Sequence, residues 1–212
     1  MSPNPSPLGL CELAPGLSRR NLLGAFAGLA AGCALPSTAL ANRTALPPPL
    51  PLSSDMQAAG FRAAPAAWLE LIRNHPDLDP ATHTLSPITL TRERENELAQ
   101  VQEQVNRLIR FRPDGSERWQ VAVSEGDCED FAISKLAALC NDRGWPRSAL
   151  TLAACRLQNG QGHAVLLVHS DKGVYALDNR RRRVEPWQRL AYRWVAREEP
   201  GAPFGLWRKL IA

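Results

Sequence analysis

The stretch LTLAACRLQNGQGHAVLLVHSDKGVYALD, residues 150–178, decides the fold. It contains three apolar runs of strand length, at 150–157, 164–169 and 174–177. Asn159-Gly160 and Asp171-Lys172-Gly173 divide the runs, and residues of this kind favour tight turns between antiparallel strands. The last third of the chain is therefore predicted to form an antiparallel sheet.

Three helical patterns precede this sheet. Trp68, Leu71 and Ile72 predict a short amphipathic helix that ends before Pro76. A longer helix is predicted over about 91–110, with five apolar residues on its buried face: Leu98, Val101, Val105, Leu108 and Ile109. A third helix is predicted from Glu129 to about Asp142, and Gly144 is a suitable stop. Helices followed by an antiparallel sheet indicate an α+β domain in which N-terminal helices pack on the sheet.

The first 41 residues predict an export signal that is separate from the fold. Residues 18–23, SRRNLL, form a twin-arginine pattern, and the run 22–41 is uncharged and rich in small apolar residues. It ends in Ala39-Leu40-Ala41, a suitable signal-peptidase site. A retained membrane anchor and a lipoprotein attached at Cys33 are the alternatives. Because twin arginines imply export of a folded protein, we expect a periplasmic mature chain.

The remaining chain is predicted to be a tether followed by one domain. Residues 42–65 are rich in proline and are interpreted as an extended tether, and residues 66–212 are assigned to the domain. The net charge of +4 comes almost entirely from arginine. Even spacing with few aromatic residues between the arginines is not typical of nucleic-acid binding, so no nucleic-acid partner is expected. The run Arg180–Arg183 is interpreted as a solvated turn. The alternative is that it lines a cleft beside Asp178 and attracts acidic substrate or partner surfaces.

Cysteine usage agrees with a free thiol. Removal of the signal leaves Cys128, Cys140 and Cys155. An odd number in an oxidising compartment means that at least one thiol stays free or pairs outside the chain, although Cys140 and Cys155 could bridge each other.

Cys128 is the candidate nucleophile. Gly126 lets the chain turn tightly and Asp127 is a good N-cap residue, so Cys128 is predicted to open the third helix. Free N–H groups at a helix N-terminus favour the thiolate form of a cysteine. The alternative, a buried structural cysteine, does not explain the polar residues around it.

His163 and Asp178 are the candidate base and orienting carboxylate. If Ser170 and Gly173 close a two-residue turn, Asp178 is the diagonal neighbour of His163 on the same face of the hairpin. Diagonal neighbours lie about 7–8 Å apart, a distance that these two side chains can bridge. A slip of one residue would place them on opposite faces. This arrangement predicts a Cys-His-Asp triad.

The carboxylates around Cys128 pose an electrostatic problem. Asp127, Glu129 and Asp130 would raise the pKa of the thiol, and helical geometry is expected to turn Glu129 and Asp130 away from it. A bound hard cation would reduce the conflict, and clustered carboxylates are ligands that Ca²⁺ prefers. Helix capping by Asp127 and Asp130 is the alternative explanation of the cluster.

Three motifs resemble one family. GDCEDFAI at 126–133, GHAVL at 162–166 and YALDN at 175–179 are similar to the bacterial transglutaminase-like cysteine peptidases, which include the LapG-type periplasmic proteases. Trp119 and GLW at 205–207 add to the resemblance.

The resemblance implies a papain/transglutaminase-like α+β fold with Cys128 as nucleophile, His163 as base and Asp178 as orienting group. It also implies a Ca²⁺ site at Asp130, with Asp127 and Glu129 as further candidate ligands. In LapG-type members the substrate is a large surface adhesin whose cleavage releases biofilm cells, and an inner-membrane cyclic di-GMP receptor restrains the protease. The segment before Cys128 lacks the Asp/Tyr-rich loop of that family, which leaves the substrate open.

We therefore expect a periplasmic cysteine endopeptidase without an organic cofactor. Its oxyanion hole is expected to combine the backbone N–H of Cys128 with a donor from Gln120 or Trp119. Two alternatives use the same fold: an acyl-transferase or transglutaminase with the same triad, and a non-catalytic binding domain.

Overall fold

The apolar runs between 150 and 177 form the middle of a seven-stranded sheet. The computed structural model describes residues 45–48, 57–80, 84–113, 118–122, 124–202 and 204–211, so the predicted signal peptide lies outside the described residues. In chain order, the strands of the described residues are β1 (Gln57–Ala63), β2 (Arg110–Phe111), β3 (Glu125–Gly126), β4 (Leu150–Arg156), β5 (Gly162–Ser170), β6 (Gly173–Leu177), β7 (Glu185–Pro186), β8 (Arg193–Glu198) and β9 (Leu206–Ile211).

The large sheet has the strand order β1-β9-β8-β4-β5-β6-β7, and its neighbours are antiparallel. Strands β2 and β3 form a separate parallel pair. Ser170 pairs with Gly173 and Leu166 with Leu177, so the predicted register of the β5–β6 hairpin is confirmed. Gly173 has φ 118°, a conformation that favours glycine and suits the tight turn.

Three helices were predicted and three α-helices occur among the described residues. They are α1 (Ala66–Asn74), α2 (Arg92–Leu108) and α3 (Cys128–Ala137). Thr91 caps α2 by accepting a hydrogen bond from the backbone N–H of Arg94 at 3.3 Å. A π-helical turn, Ala138–Asp142, continues α3, and Gly144 ends it with φ 65°.

The predicted buried face of α2 needs one correction. Leu108 is 71% exposed, whereas the polar Gln102 is buried. Gln102 lies one helical turn from Leu98 and therefore shares its stripe, while Leu108 falls outside that stripe. The prediction of a buried Leu108 was wrong because it relied on apolar character and not on position along the helix.

The domain also begins earlier than predicted. Residues 57–63 were assigned to the tether, but they form β1, an edge strand paired with β9. The sequence QAAGFRA shows no clear alternation of apolar and polar residues, and its strand conformation depends on pairing with residues far along the chain. Residues 49–56 of the predicted tether lie outside the described residues.

Side chains on the two faces of the sheet belong to two hydrophobic clusters. The larger cluster joins the helices to one face and includes Leu98, Ile133, Leu136, Leu166 and Leu177. The smaller cluster, on the other face, includes Val165, Leu167, Ala176, Trp194 and Leu210. Helices on one side of an antiparallel sheet make this an α+β fold. Within the described part of the chain, no helix has both the length and the apolar character needed to cross a bilayer.

Candidate active site

Cys128 is the first residue of α3 and lies between Gly126 and Asp130, which contact each other closely. Asp127 occupies the N-cap position without a capping hydrogen bond from its side chain, and Cys128 is the first helical residue. A Cβ atom at Gly126 would lie 2.5 Å from Oδ2 of Asp130, so only glycine allows this approach. Asp130 is itself buried. Cys128 therefore opens the helix as predicted, but Gly126 lies in strand β3 and serves the close approach of Asp130, not the tight turn that was predicted.

The environment of the Cys128 thiol differs from the prediction. Its Sγ donates a hydrogen bond to Oε2 of Glu129 at 3.0 Å, so the Glu129 side chain is not turned away. Burial raises the pKa of Cys128, and the charge of Glu129 and the hydrogen bond to it raise the pKa further. In this arrangement the thiol is the favoured form, because burial and the neighbouring Glu129 carboxylate together outweigh the helix N-terminus.

His163 and Asp178 form the contact that the hairpin register predicts. His163 Nε2 lies 2.9 Å from Oδ1 of Asp178, and the two residues are 6% and 0% exposed. Asp178 also accepts hydrogen bonds from the hydroxyl of Tyr192 at 2.6 Å and from the backbone N–H of Arg180 at 2.8 Å. Although burial alone would raise it, the hydrogen bonds and charge of His163 and the hydroxyl of Tyr192 hold the pKa of Asp178 below its usual value.

The backbone that carries Asp178 is held by α2. Nε2 of Gln102 donates to the carbonyl oxygens of Asp178 and Arg181, at 2.8 and 2.7 Å, and Nδ2 of Asn106 donates to Arg181 at 3.0 Å. Sequence reasoning missed Gln102 and Tyr192 because both are far from the motifs in the chain. A polar residue inside an otherwise apolar helical stripe was the available signal for Gln102.

Cys128 and His163 line one open cleft of about 490 Å³. The backbone N–H of Ala164, the residue after His163, lies close enough to the thiol to act on its pKa in the lowering direction. Among the described residues, the hydrogen-bond partner of the thiol is Glu129 and not His163. Trp119, Arg62 and Arg156 also line the cleft.

The two oxyanion candidates occupy different positions. The backbone N–H of Gln120 donates a hydrogen bond to Oδ1 of Asp130 at 3.0 Å. Because this N–H is already engaged, it is not available to an oxyanion. Trp119 lines the cleft beside Cys128, and its ring packs against Trp207 with a centroid distance of 6.0 Å.

Of the three carboxylates around Cys128, Asp127 and Glu129 belong to a candidate cation site, whereas Asp130 has a structural contact. One ligand atom each from Asp127, Cys128 and Glu129 lies within 4.8 Å of the others, and Oδ1 of Asp127 is buried without a hydrogen-bond partner. Burial raises the pKa of Glu129 to about 7. Asp127 acts in the same direction, and the hydrogen bond from Cys128 acts in the opposite one. Asp130 is not in this group, since it binds the segment at Gln120 instead.

The other two cysteines differ in exposure, since Cys155 is buried and Cys140 is half-buried. Cys140 and Cys155 are both free, so the open alternative of a bridge between them is not realised in the structure. Burial raises the pKa of Cys140 to about 11 and that of Cys155 to about 12. Neither has the polar setting of Cys128.

A cysteine that opens a helix, in a cleft also lined by a histidine with a buried carboxylate partner, is typical of the class of thiol enzymes that form acyl intermediates. The chain belongs to the bacterial transglutaminase-like cysteine proteinases (BTLCP), because the model of that family matches residues 58–211. Membership in this family makes it a cysteine peptidase and agrees with the resemblance found in the sequence.

Solved structures of LapG from Legionella pneumophila are similar to this chain. One is 22% identical, with 55% of this chain and 78% of that chain covered and a TM-score of 0.44. A calcium-bound form is 24% identical, with 56% and 79% covered and a TM-score of 0.42. An EGTA-treated form is 22% identical, with 55% and 76% covered and a TM-score of 0.44. No curated protein matches the chain.

Proposed function

We propose that this protein is an exported cysteine endopeptidase in which Cys128, His163 and Asp178 act as the catalytic triad. The observation that carries the proposal is the buried 2.9 Å contact of Asp178 with His163, which lines the same cleft as Cys128. A buried histidine–carboxylate pair at the edge of a cleft costs desolvation energy, and its use in proton transfer accounts for that cost.

The contact between His163 and Asp178 supports a different proposed role for each imidazole nitrogen. Nε2 of His163 is engaged by Asp178, so Nδ1 is the nitrogen left to take the proton of Cys128. The thiolate then attacks the peptide carbonyl carbon, and the C–N bond breaks as the imidazolium gives its proton to the leaving amine. Water, deprotonated by His163, cleaves the thioester and regenerates the thiol. Asp178 stays ionised throughout and stabilises the imidazolium.

We further propose that Asp127 and Glu129 hold a calcium ion. The support is chemical: two carboxylates offer hard oxygen ligands, and one buried oxygen of Asp127 has no other partner. A bound cation would offset the negative charge that raises the pKa of Cys128. If Glu129 bound a cation, its carboxylate would no longer accept the hydrogen bond from the Cys128 thiol. The thiol would then be free to give its proton to His163.

The biological setting is proposed from the family resemblance and the predicted export signal. We place the mature protein in the periplasm, with a large surface adhesin as substrate and an inner-membrane cyclic di-GMP receptor as its regulator. Cleavage of the adhesin would release cells from a biofilm.

Cleavage of a peptide library made from a bacterial proteome tests the proposed activity without a known substrate. The purified protein with calcium should produce new N-termini, and Cys128→Ala should produce none. Addition of a primary amine separates the alternatives, because amide products would indicate acyl transfer whereas free carboxylates indicate hydrolysis. An absence of new termini and of amide products would contradict both.

A further inference from the structure

Two arginines face each other across neighbouring strands beside the proposed active site. Arg156 of β4 pairs directly with Arg193 of β8, and both residues are exposed. Residues that pair directly in an antiparallel sheet project from the same face, so the two guanidinium groups share one patch of the surface. Like charges in such positions repel each other, and the pair is unfavourable for the sheet unless a negative charge lies nearby.

The same sheet contains a second arginine pair, and there the charge is compensated. Arg197 of β8 pairs directly with Arg208 of β9. Glu199 forms ion pairs with both, at 2.7 Å to Arg197 and 3.2 Å to Arg208. Among the described residues, no carboxylate forms an ion pair with Arg156 or Arg193. The first pair therefore lacks the counter-charge that the second pair has.

The uncompensated pair, Arg156 and Arg193, borders the proposed active site. Arg156 lines the cleft of about 490 Å³ that Cys128 and His163 also line. On its other side Arg156 pairs with Gly162 of β5, the residue before His163. A Cβ atom at Gly162 would meet no atom within 4 Å, so the space beside Arg156 on this side is open to a ligand.

The residues of the cleft do not neutralise Arg156. Nη1 of Arg156 donates a hydrogen bond of 3.0 Å to the carbonyl oxygen of Gly160, and its other N–H groups have no acceptor among the described residues. Asp127 and Glu129 are the carboxylates in the cleft lining, and neither forms an ion pair with Arg156. Glu129 instead accepts the hydrogen bond of the Cys128 thiol. The remaining donors of Arg156 are therefore available to a ligand in the cleft.

We propose that Arg156 and Arg193 form a specificity subsite that binds an acidic side chain of the protein substrate, Asp or Glu, near the bond that Cys128 attacks. The inference rests on the proposed peptidase function and names the class of sequence that the enzyme cleaves. A carboxylate matches the fork of N–H groups on a guanidinium and supplies the counter-charge that this pair lacks. Because Arg156 lines the cleft, a peptide bound there brings its carboxylate to the pair.

The sequences around the cleaved bonds test the subsite directly. The proteome-derived peptide library is cleaved in parallel by the wild type, Arg156→Gln, Arg193→Gln and Arg107→Gln. The last variant is the matched control, because it removes the same charge from an exposed residue of α2 outside the cleft. The wild type and the control should show Asp or Glu enriched at one fixed position relative to the cut, and the other two variants should not. No enrichment in the wild type, or its persistence in Arg156→Gln or Arg193→Gln, would overturn the proposal.

Charge reversal separates recognition of a carboxylate from a general loss of activity. With a cleaved peptide that has Glu at the enriched position, replacement of that Glu by Gln should lower kcat/KM of the wild type roughly two- to fivefold, as expected for an exposed ion pair. The loss should shrink at high salt. Arg156→Glu should instead prefer a peptide with Lys at this position. If wild type cleaved the Glu and Gln peptides equally well, the subsite would not bind a carboxylate.

A comparison of stability tests the missing counter-charge without reference to catalysis. In urea at low salt, Arg193→Gln should be at least as stable as the wild type, because loss of one charge relieves the repulsion with Arg156. Arg197→Gln should be less stable, because Glu199 loses a partner. A clear loss of stability in Arg193→Gln would indicate an internal partner and overturn the inference. A wild type that cleaves no peptide would count against the proposed function, while this comparison would still test the arginine pair.

Discussion

Among the described residues two acid–base pairs are buried, Arg147–Glu198 and His163–Asp178, and they differ in their position, since the first is enclosed in the core and the second borders a cleft. Arg147 donates two hydrogen bonds of 2.7 Å to Glu198 and another of 2.9 Å to the carbonyl oxygen of Leu78. Glu198 also accepts from Nε1 of Trp68 at 2.6 Å and from the backbone N–H of Leu152 at 2.7 Å. This pair ties α1 and the loop after it to strands β4 and β8.

The second pair instead lies at the edge of the cleft that Cys128 lines, because His163 is part of that lining. Oε1 of Gln102, whose Nε2 binds the Asp178 carbonyl oxygen, and Oδ1 of Asp127 in the cleft lining are buried and unbonded among the described residues. Cys128 in this cleft has a raised pKa. A fully bonded buried pair fixes one architecture, whereas unpaired groups keep the capacity to move a proton or to bind an ion. This contrast distinguishes the structural pair Arg147–Glu198 from the pair His163–Asp178, which is proposed to act in catalysis.

Arg147→Met should cause the largest loss of stability. It leaves Glu198 as an uncompensated buried charge, which costs about 3–5 kcal/mol. Urea unfolding measures the loss, and Arg107→Met is the matched control because its ion pair with Glu103 is exposed. If both variants lost the same small amount, the Arg147–Glu198 pair would not be the structural anchor described above.

His169 should make stability fall in acid. It is buried, its Nε2 lies 2.9 Å from Oγ1 of Thr151, and burial lowers its pKa to about 3. The unfolded chain gains a proton below its own pKa of about 6.5 while the folded protein does not, so this residue removes about 2 kcal/mol between pH 8 and pH 5.

The variant His169→Gln keeps a side chain that can hydrogen-bond to Thr151 but has no group that titrates between pH 8 and pH 5. The fall in unfolding free energy between pH 8 and pH 5 should therefore be smaller in the variant than in the wild type. Identical falls would show that His169 protonates freely in the folded protein.

Glu129→Gln should sharpen the account of the thiol. Loss of the carboxylate charge lowers the pKa of Cys128, so iodoacetamide should label Cys128 roughly tenfold faster in EGTA at the same pH, equivalent to about one pKa unit. Calcium should accelerate labelling of the wild type and have little effect on the variant. Glu103→Gln, which does not line the cleft, is the control. Slower labelling of Glu129→Gln in EGTA would reverse the assigned effect of Glu129.

Tyr192→Phe should give the smallest effect. It removes one hydrogen bond to Asp178, worth about 1 kcal/mol, and should reduce the cleavage rate roughly fivefold without loss of fold. Tyr175→Phe, outside the cleft, should cleave at the wild-type rate. A Tyr192→Phe rate equal to that of the wild type would show that His163 and Gln102 hold Asp178 without its help.

The sequence predicted the parts of the site that depend on local pattern. The turn at Ser170–Gly173 was enough to place Asp178 beside His163, because strand alternation carries the register along the hairpin. The glycine and the N-cap position at 126–127 located Cys128 at a helix start. These signals act over a few residues and survive without knowledge of the tertiary structure.

Contacts between distant segments could not be predicted in this way. Strand β1 exists because it pairs with β9, and neither QAAGFRA nor LWRKLI shows clear alternation. Gln102 and Tyr192 reach Asp178 from elements far along the chain. The side chain of Glu129 accepts a hydrogen bond from the thiol, an orientation that helical spacing does not predict.

The most direct test of the central claim is the rate at which iodoacetamide labels each cysteine at pH 6 with calcium present, in the wild type and in His163→Ala. Mass spectrometry locates the label. Cys140, which is half-buried like Cys128, and the buried Cys155 serve as internal references. An assembled Cys128–His163–Asp178 site predicts fast labelling confined to Cys128 in the wild type and its loss in His163→Ala. Slow labelling of Cys128, or equal labelling of all three cysteines, would contradict the triad.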